Sequence, residues 1–168
     1  WAGFWLTRVK GIPVTAVVER LDPPDLFEWF VDLRRSIGME VVPLGPEAGK
    51  ATIKALRNND LLALLCDRDL AGDGVEVEFF GERTTLPAGP AVLALRTGAP
   101  IHPTAIYFRG SKRHGVVRPA LDTARRGPLR EDIARITQDV ATAREELIRE
   151  APEQWHLLQP NWPSDRDL

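Results

Sequence analysis

The sequence predicts an α/β fold: a mixed, mainly parallel sheet flanked by helices. Short apolar or β-branched runs recur along the chain, longer stretches with helical periodicity separate them, and Gly or Pro marks most of the junctions.

The elements follow in order. Trp1 to about Val9 reads as the end of a helix, stopped before Gly11 and Pro13. Val14-Thr15-Ala16-Val17-Val18 is β-branched and reads as a strand. Asp22-Pro23-Pro24 supplies an acidic cap and a first-turn proline for a second helix. Leu26, Phe30, Leu33 and Ile37 share one face of that helix, and Gly38 ends it. Met39–Val42 is a short strand, Ala48–Arg57 a helix and Leu61–Cys66 a buried strand. Val75–Phe80 is a further short strand. Pro87–Thr97 is a helix bounded by proline and Gly98, with Ala88, Ala91 and Ala94 small enough for close approach to the sheet. Ile101–Phe108 is a strand, and His114–Arg118 pairs beside it. Leu129–Glu150 is the last helix, with Leu129, Ile133, Ile136, Val140, Ala143 and Leu147 as its apolar stripe. Glu131–Arg135 and Glu145–Arg149 have ion-pair spacing on its wet side. After Pro152 an extended tail carries Trp155 and Trp162, whose chemistry suits a membrane–water interface, although pinning the tail to the domain is the favoured reading.

The 168 residues suffice for a real core. Hydrophobic residues are 43% and charged residues 27%, a globular balance. Net charge is −2, from 22 basic and 24 acidic residues, which gives no support to a nucleic-acid binder. Cys66 is the single cysteine, so no internal disulfide can form, and a reducing compartment fits. Leu61–Cys66, the longest strongly apolar run, is far short of the ~20 residues of a membrane span. Trp1 opens the chain within an apolar stretch, as expected of a chain cut inside a domain.

The stretch from Leu61 to Gly81 carries the chemistry. An apolar strand runs into Asp67-Arg68-Asp69, and open α/β sheets bind ligands at the carboxyl ends of their strands. Three readings stay open on these residues alone. The acids and Arg68 can form a local ion pair at a solvated strand end. Asp67 and Asp69, with Asp73 as a third oxygen donor, can hold a divalent cation as in a metal-dependent glycosyltransferase. Alternatively, Asp67 can orient a base that comes from elsewhere. Arg34 lies on the row Phe27, Val31, Arg34, where a half-buried guanidinium needs an anion. That anion is a protein carboxylate, Asp67 or Asp69, or a substrate phosphate. Arg20, at the end of the first strand, is a weaker candidate of the same kind. Phe79, Phe80 and Gly81 are core aromatics and a turn, or the lining of an apolar groove, with Gly81 allowing close backbone approach.

Further pieces extend along the chain: Val17-Val18-Glu19-Arg20-Leu21, the helix bearing Arg34, Asn58-Asn59, Cys66-Asp67-Arg68-Asp69 and Val75-Glu76-Val77-Glu78-Phe79-Phe80-Gly81. Pro87-Ala88-Gly89-Pro90-Ala91, Thr97-Gly98-Ala99, Pro103 and the tail Trp155 to Trp162 complete the set. Together, and in this order, they resemble the bacterial lipid A biosynthesis acyltransferases, a branch of the lysophospholipid acyltransferases. The resemblance covers essentially the whole chain. It implies a glycerol-phosphate-acyltransferase-like fold, of which residues 1–168 form the C-terminal portion of a single domain. It also implies transfer of a fatty acyl chain from acyl-CoA, or an acyl carrier protein, to a hydroxyl of a membrane glycolipid. Within the family the nearest likeness is to enzymes that acylate a mannose of phosphatidylinositol mannoside. No metal and no cofactor beyond the acyl-CoA donor is implied. The implied place is peripheral, on the cytoplasmic face of the inner membrane.

In this family a His-x4-Asp motif supplies the base, and an acid after the strand orients the histidine. Asp67 matches that acid, one methylene shorter than the glutamate of relatives, with Asp69 as an alternative. The matching arginine implies that Arg34 contacts the substrate phosphate or the catalytic carboxylate. Five residues after His102, His114 and His156 stand Tyr107, Pro119 and Asn161, so none completes the motif. His102 between prolines reads as structural, His114 as part of an exposed turn, and His156 as a packing or capping residue. The resemblance places the expected His-x4-Asp just before Trp1.

Overall fold

The computed structural model describes residues 1–167; Leu168, the last residue of the expected domain span, lies outside them. The chain divides into two compact units, Trp1–Leu65 and Cys66–Leu168.

The first unit begins with a helical turn, α1 (Ala2–Phe4), which continues as a π turn over Trp5–Val9. Strand β1 (Val14–Val18) is followed by helix α2 (Pro24–Ser36), strand β2 (Glu40–Pro43), helix α3 (Ala48–Arg57) and strand β3 (Leu61–Ala63). The strands form a parallel sheet in the order β2-β1-β3, with Ala16 opposite Val41 and Ala63. β1 is central, so Val14, Thr15 and Ala16 are all buried, as expected of a strand with both faces covered. Three expectations change here. Pro23, not Asp22, holds the cap position of α2, and no side chain caps it. Leu26 and Leu33 are exposed, and the buried residue of α2 is Val31, because the helix packs by the row next to the predicted stripe. β3 stops at Ala63, and Leu65 is 90% exposed, so Leu61–Cys66 is not one buried strand.

The second unit is built on two antiparallel hairpins and two helices. β4 (Val75–Phe79) pairs with β5 (Glu82–Leu86), and β6 (Thr104–Arg109) pairs with β7 (Lys112–Val117). The helices are α4 (Gly89–Thr97) and α5 (Leu129–Arg149). The expected single mixed sheet is therefore replaced by a small parallel sheet and two separate hairpins. The reason is local: each hairpin strand finds its partner across a two-residue turn. Phe80 and Gly81 both have positive φ, +55° and +82°, the backbone of a type I′ turn. Gly98, at φ +75°, closes α4 in the left-handed conformation. Ala91 and Ala94 are buried, and α4 packs on α5.

The core of this unit gathers Val77, Phe79, Leu86 and Ala141, with Phe80, Ile148, Trp155 and Trp162 packed against it. Ile136, Val140 and Leu147 of the predicted stripe are buried on α5, while Leu129 is half-exposed. Arg149 pairs with Glu145 at 2.7 Å as expected, but Arg135 pairs with Asp132 and Asp139, both at 3.4 Å, rather than with Glu131. No described helix is long and apolar enough to cross a membrane.

Candidate functional site

Asp67 lies in the loop that precedes β4. Trp155, in the tail, donates its indole N–H to Asp67 Oδ2 at 3.3 Å. Arg144, on α5, places Nη2 3.6 Å from Oδ1 and donates from Nη1 to Cys66 Sγ at 3.1 Å. Both carboxylate oxygens are therefore engaged, one by a helix and one by the tail. The Asp67 side chain still keeps 27% of its surface exposed, which leaves lone pairs for another group. Burial pushes the Cys66 thiol up; the Asp67 charge adds to this and Arg144 opposes it.

Asp69 has a different role in the same loop. Its Oδ1 accepts from the backbone N–H groups of Ala71 and Gly72, and its Oδ2 accepts from Gly74 N–H at 2.7 Å and Thr85 O–H at 2.9 Å. Burial alone would raise its carboxyl, but these donors outweigh burial and hold it below the usual carboxylate range. With both oxygens turned to the loop, Asp69 fixes the chain that carries Asp67. Arg68 donates to the Gln159 side chain and so ties the same loop to the tail.

The aromatic residues form one cluster. Phe79 is fully buried and stacks on Trp162 at 5.6 Å between ring centres; Phe80 stacks on Trp155 at 5.9 Å. Trp162 also donates its N–H to the Phe79 carbonyl at 2.8 Å, so the two tryptophans pin the tail, the favoured of their two roles. Phe80 is only partly buried, with Arg149 over its ring at 5.1 Å. A Cβ built at Gly81 would meet nothing within 4 Å, so its glycine serves the turn rather than a close approach.

Arg34 and Arg20 belong to the first unit. Arg34 donates to the Phe30 carbonyl at 2.9 Å and lies over the Phe30 ring at 5.4 Å. The carboxylates suggested for it have the partners already described. Arg20 sits over Phe27 at 5.8 Å and lines a cavity of about 280 Å³ with Val42, Pro43 and Glu47. Arg34 is half-buried and Arg35 exposed. Arg34→Ala should therefore reduce thermal stability more than Arg35→Ala does. Melting curves of the two variants check this, and equal losses would mean that the Arg34 contacts with Phe30 do not steady the helix.

His102 Nδ1 lies 3.0 Å from the Arg118 carbonyl, as suits a structural histidine. Neither Arg144 nor the polar role of Trp155 was anticipated. A signal for Arg144 did exist: it follows Val140 by four residues and precedes Leu147 by three, so it borders the buried stripe, where an arginine needs an anion.

Comparison with known proteins adds the family. Over 98% of its length the chain is 44% identical to a phosphatidylinositol mannoside acyltransferase of Mycobacterium tuberculosis, covering 51% of that protein. It is 42% identical to the protein of the same name from Mycolicibacterium smegmatis, again over 98% of this chain and 53% of that one. The chain thus spans about half the length of the curated relatives it matches. The profile of the bacterial lipid A biosynthesis acyltransferases matches residues 1–164, and the chain belongs to that family.

Proposed function

We propose that the protein to which this chain belongs transfers a fatty acyl group from acyl-CoA to a hydroxyl of a membrane glycolipid, a mannose of phosphatidylinositol mannoside. The observation that carries the reading is Asp67: a carboxylate held at both oxygens, partly open to solvent, at the position that matches the acid of the family. Its role is to orient a histidine base. The histidine takes the proton of the acceptor hydroxyl, and that oxygen attacks the thioester carbonyl. The carbon–sulfur bond then breaks, and the coenzyme A thiolate leaves and is protonated. The base comes from a His-x4-Asp motif, which His102, His114 and His156 do not supply by their spacing. Arg34 and Arg20 contact the anionic part of a substrate, and Phe80 borders the path of the acyl chain. The enzyme acts as a peripheral protein on the cytoplasmic face of the plasma membrane.

The rival chemistry, metal-dependent sugar transfer through Asp67 and Asp69, would need Asp69 to give up hydrogen bonds from three loop N–H groups and from Thr85 of β5. The test is product analysis. Full-length enzyme is incubated with acyl-labelled acyl-CoA and detergent-dispersed phosphatidylinositol mannoside, with and without a chelator. The acceptor should gain the acyl label, and the chelator should leave the rate unchanged. Transfer abolished by the chelator, or product containing added sugar and no acyl label, overturns the reading.

A further inference from the structure

The hairpin β6–β7 carries a charge pattern that acyl transfer does not use. From Arg83 to Leu121 the sequence holds no Asp or Glu, yet it holds Arg83, Arg96, Arg109, Lys112, Arg113 and Arg118. Arg118 is paired with Glu150. Arg109, Lys112 and Arg113 crowd the hairpin tip, where Arg109 faces Lys112 and Phe108 faces Arg113.

The orientation of the hairpin is fixed. Tyr107 is buried and donates its hydroxyl to the Leu147 carbonyl at 2.6 Å, so the Tyr107 face is turned inward against α5. Gln154 holds the Phe108 backbone at both its N–H and its carbonyl. Alternation along the strands then turns Thr104, Ile106 and Phe108 outward, with Val117, Gly115 and Arg113 opposite them. Phe108 is 51% exposed and Val117 66%, and the Arg113 guanidinium lies 4.0 Å from the Phe108 ring centre. The outward face therefore carries Ile106, Phe108 and Val117 with Arg113, while the same alternation puts the exposed Arg109 and Lys112 on the Tyr107 side, beside the turn at the tip.

Charged residues on an exposed edge strand also block edge-to-edge pairing, but either sign does that. Here only one sign is present. The whole chain carries a net charge of −2, so global charge would repel it from an anionic surface. Attraction must come from this local patch. An exposed phenylalanine with one guanidinium over its ring, at a hairpin tip that carries two more cations, suits a headgroup interface, where the ring enters the acyl boundary and the cations meet lipid phosphates.

We propose that the tip of β6–β7, with Phe108 and Arg113 from its outward face and Arg109 and Lys112 from the other, docks on an anionic phospholipid surface. The proposal stands on this surface alone, so the docking can be tested without acyl transfer. Each Lys or Arg near an anionic bilayer strengthens partitioning roughly fivefold, and three together about a hundredfold at low salt.

The experiment is co-sedimentation of the 168-residue chain with phosphatidylglycerol–phosphatidylcholine vesicles and with pure phosphatidylcholine vesicles. Wild type should bind the anionic vesicles, and salt should weaken that binding. The triple variant Arg109→Gln, Lys112→Gln, Arg113→Gln should bind about a hundredfold more weakly. The single changes Arg109→Gln and Lys112→Gln should each cost roughly fivefold, which keeps the test sound if the triple variant folds poorly. Phe108→Ser should cost about tenfold and leave the salt dependence in place. A control that removes the same charge from α3, Lys50→Gln, Lys54→Gln, Arg57→Gln, should stay within about twofold of wild type, since those side chains lie outside the patch. Wild-type affinity in the triple variant, or an equal loss in the α3 control, overturns the proposal. So does wild-type binding to an acidic carrier protein without affinity for anionic vesicles.

Discussion

Phe79→Ala should lower the stability of the second unit by about 3–5 kcal/mol, the range for emptying a phenylalanine site in a packed core. The side chain has no exposed surface and touches every part of the aromatic cluster: Trp162 at 5.6 Å, Phe80 at 4.8 Å and Trp155 at 6.0 Å. Its own backbone carbonyl accepts the Trp162 N–H. Truncation leaves a cavity between β4 and α5 and removes the surface on which the tail packs. The tail in turn supplies the Trp155 N–H to Asp67, so the substitution should loosen the candidate acid as well. Phe80→Ala is the comparison. Phe80 is only partly buried, with Arg149 over its ring, and its loss should cost less than about 2 kcal/mol. Denaturant titration followed by near-ultraviolet circular dichroism reads both. Equal losses, or a loss below about 1 kcal/mol for Phe79→Ala, would mean that the cluster does not hold the tail.

Much of the secondary structure was legible, and the reasons differ by element. Ala48–Arg57 was read to the residue because a Pro-containing turn precedes it and Asn58 follows it. Gly98 marked the end of α4 because few other residues tolerate its φ. β5 went unseen because Glu82-Arg83-Thr84-Thr85-Leu86 shows little apolar alternation, although its inward residues, Thr84 and Leu86, do alternate. The Phe80-Gly81 turn before it also lacks the Asn-Gly or Asp-Gly sequence that usually announces a type I′ turn. The face of α2 was misjudged because periodicity finds an apolar stripe but does not say what packs against it. The site was half legible. An apolar run leading into Asp67-Arg68-Asp69 drew attention to the loop in which Asp67 and Asp69 take different partners. The partners of Asp67 were not legible, because Trp155 stands 88 residues away and only tertiary packing brings it close. The division of labour between the two acids was hidden for the same reason. Nothing local to Asp69 announces that Thr85 and three backbone N–H groups converge on it.

That division of labour makes the decisive comparison simple. Asp67→Asn keeps the size of the side chain and an acceptor for Trp155, but removes the charge that would orient a histidine and stabilise its protonated form. In the full-length enzyme, turnover should fall by ~10²-fold or more, the usual size of a lost acid–base partner. Acyl-donor binding should be largely intact, because the lost interaction matters most when the histidine takes up the proton. Asp69→Asn is the internal control. It weakens the hydrogen bonds that shape the loop, so it should lower stability while turnover stays within about fivefold of wild type, a loss of roughly 1 kcal/mol in the barrier. The measurement is the turnover number of the two variants, side by side with acyl-CoA affinity. A large loss in Asp67→Asn with near-normal turnover in Asp69→Asn is the result expected of an enzyme whose acid is Asp67. Unchanged turnover in Asp67→Asn, with the large loss in Asp69→Asn, would contradict it.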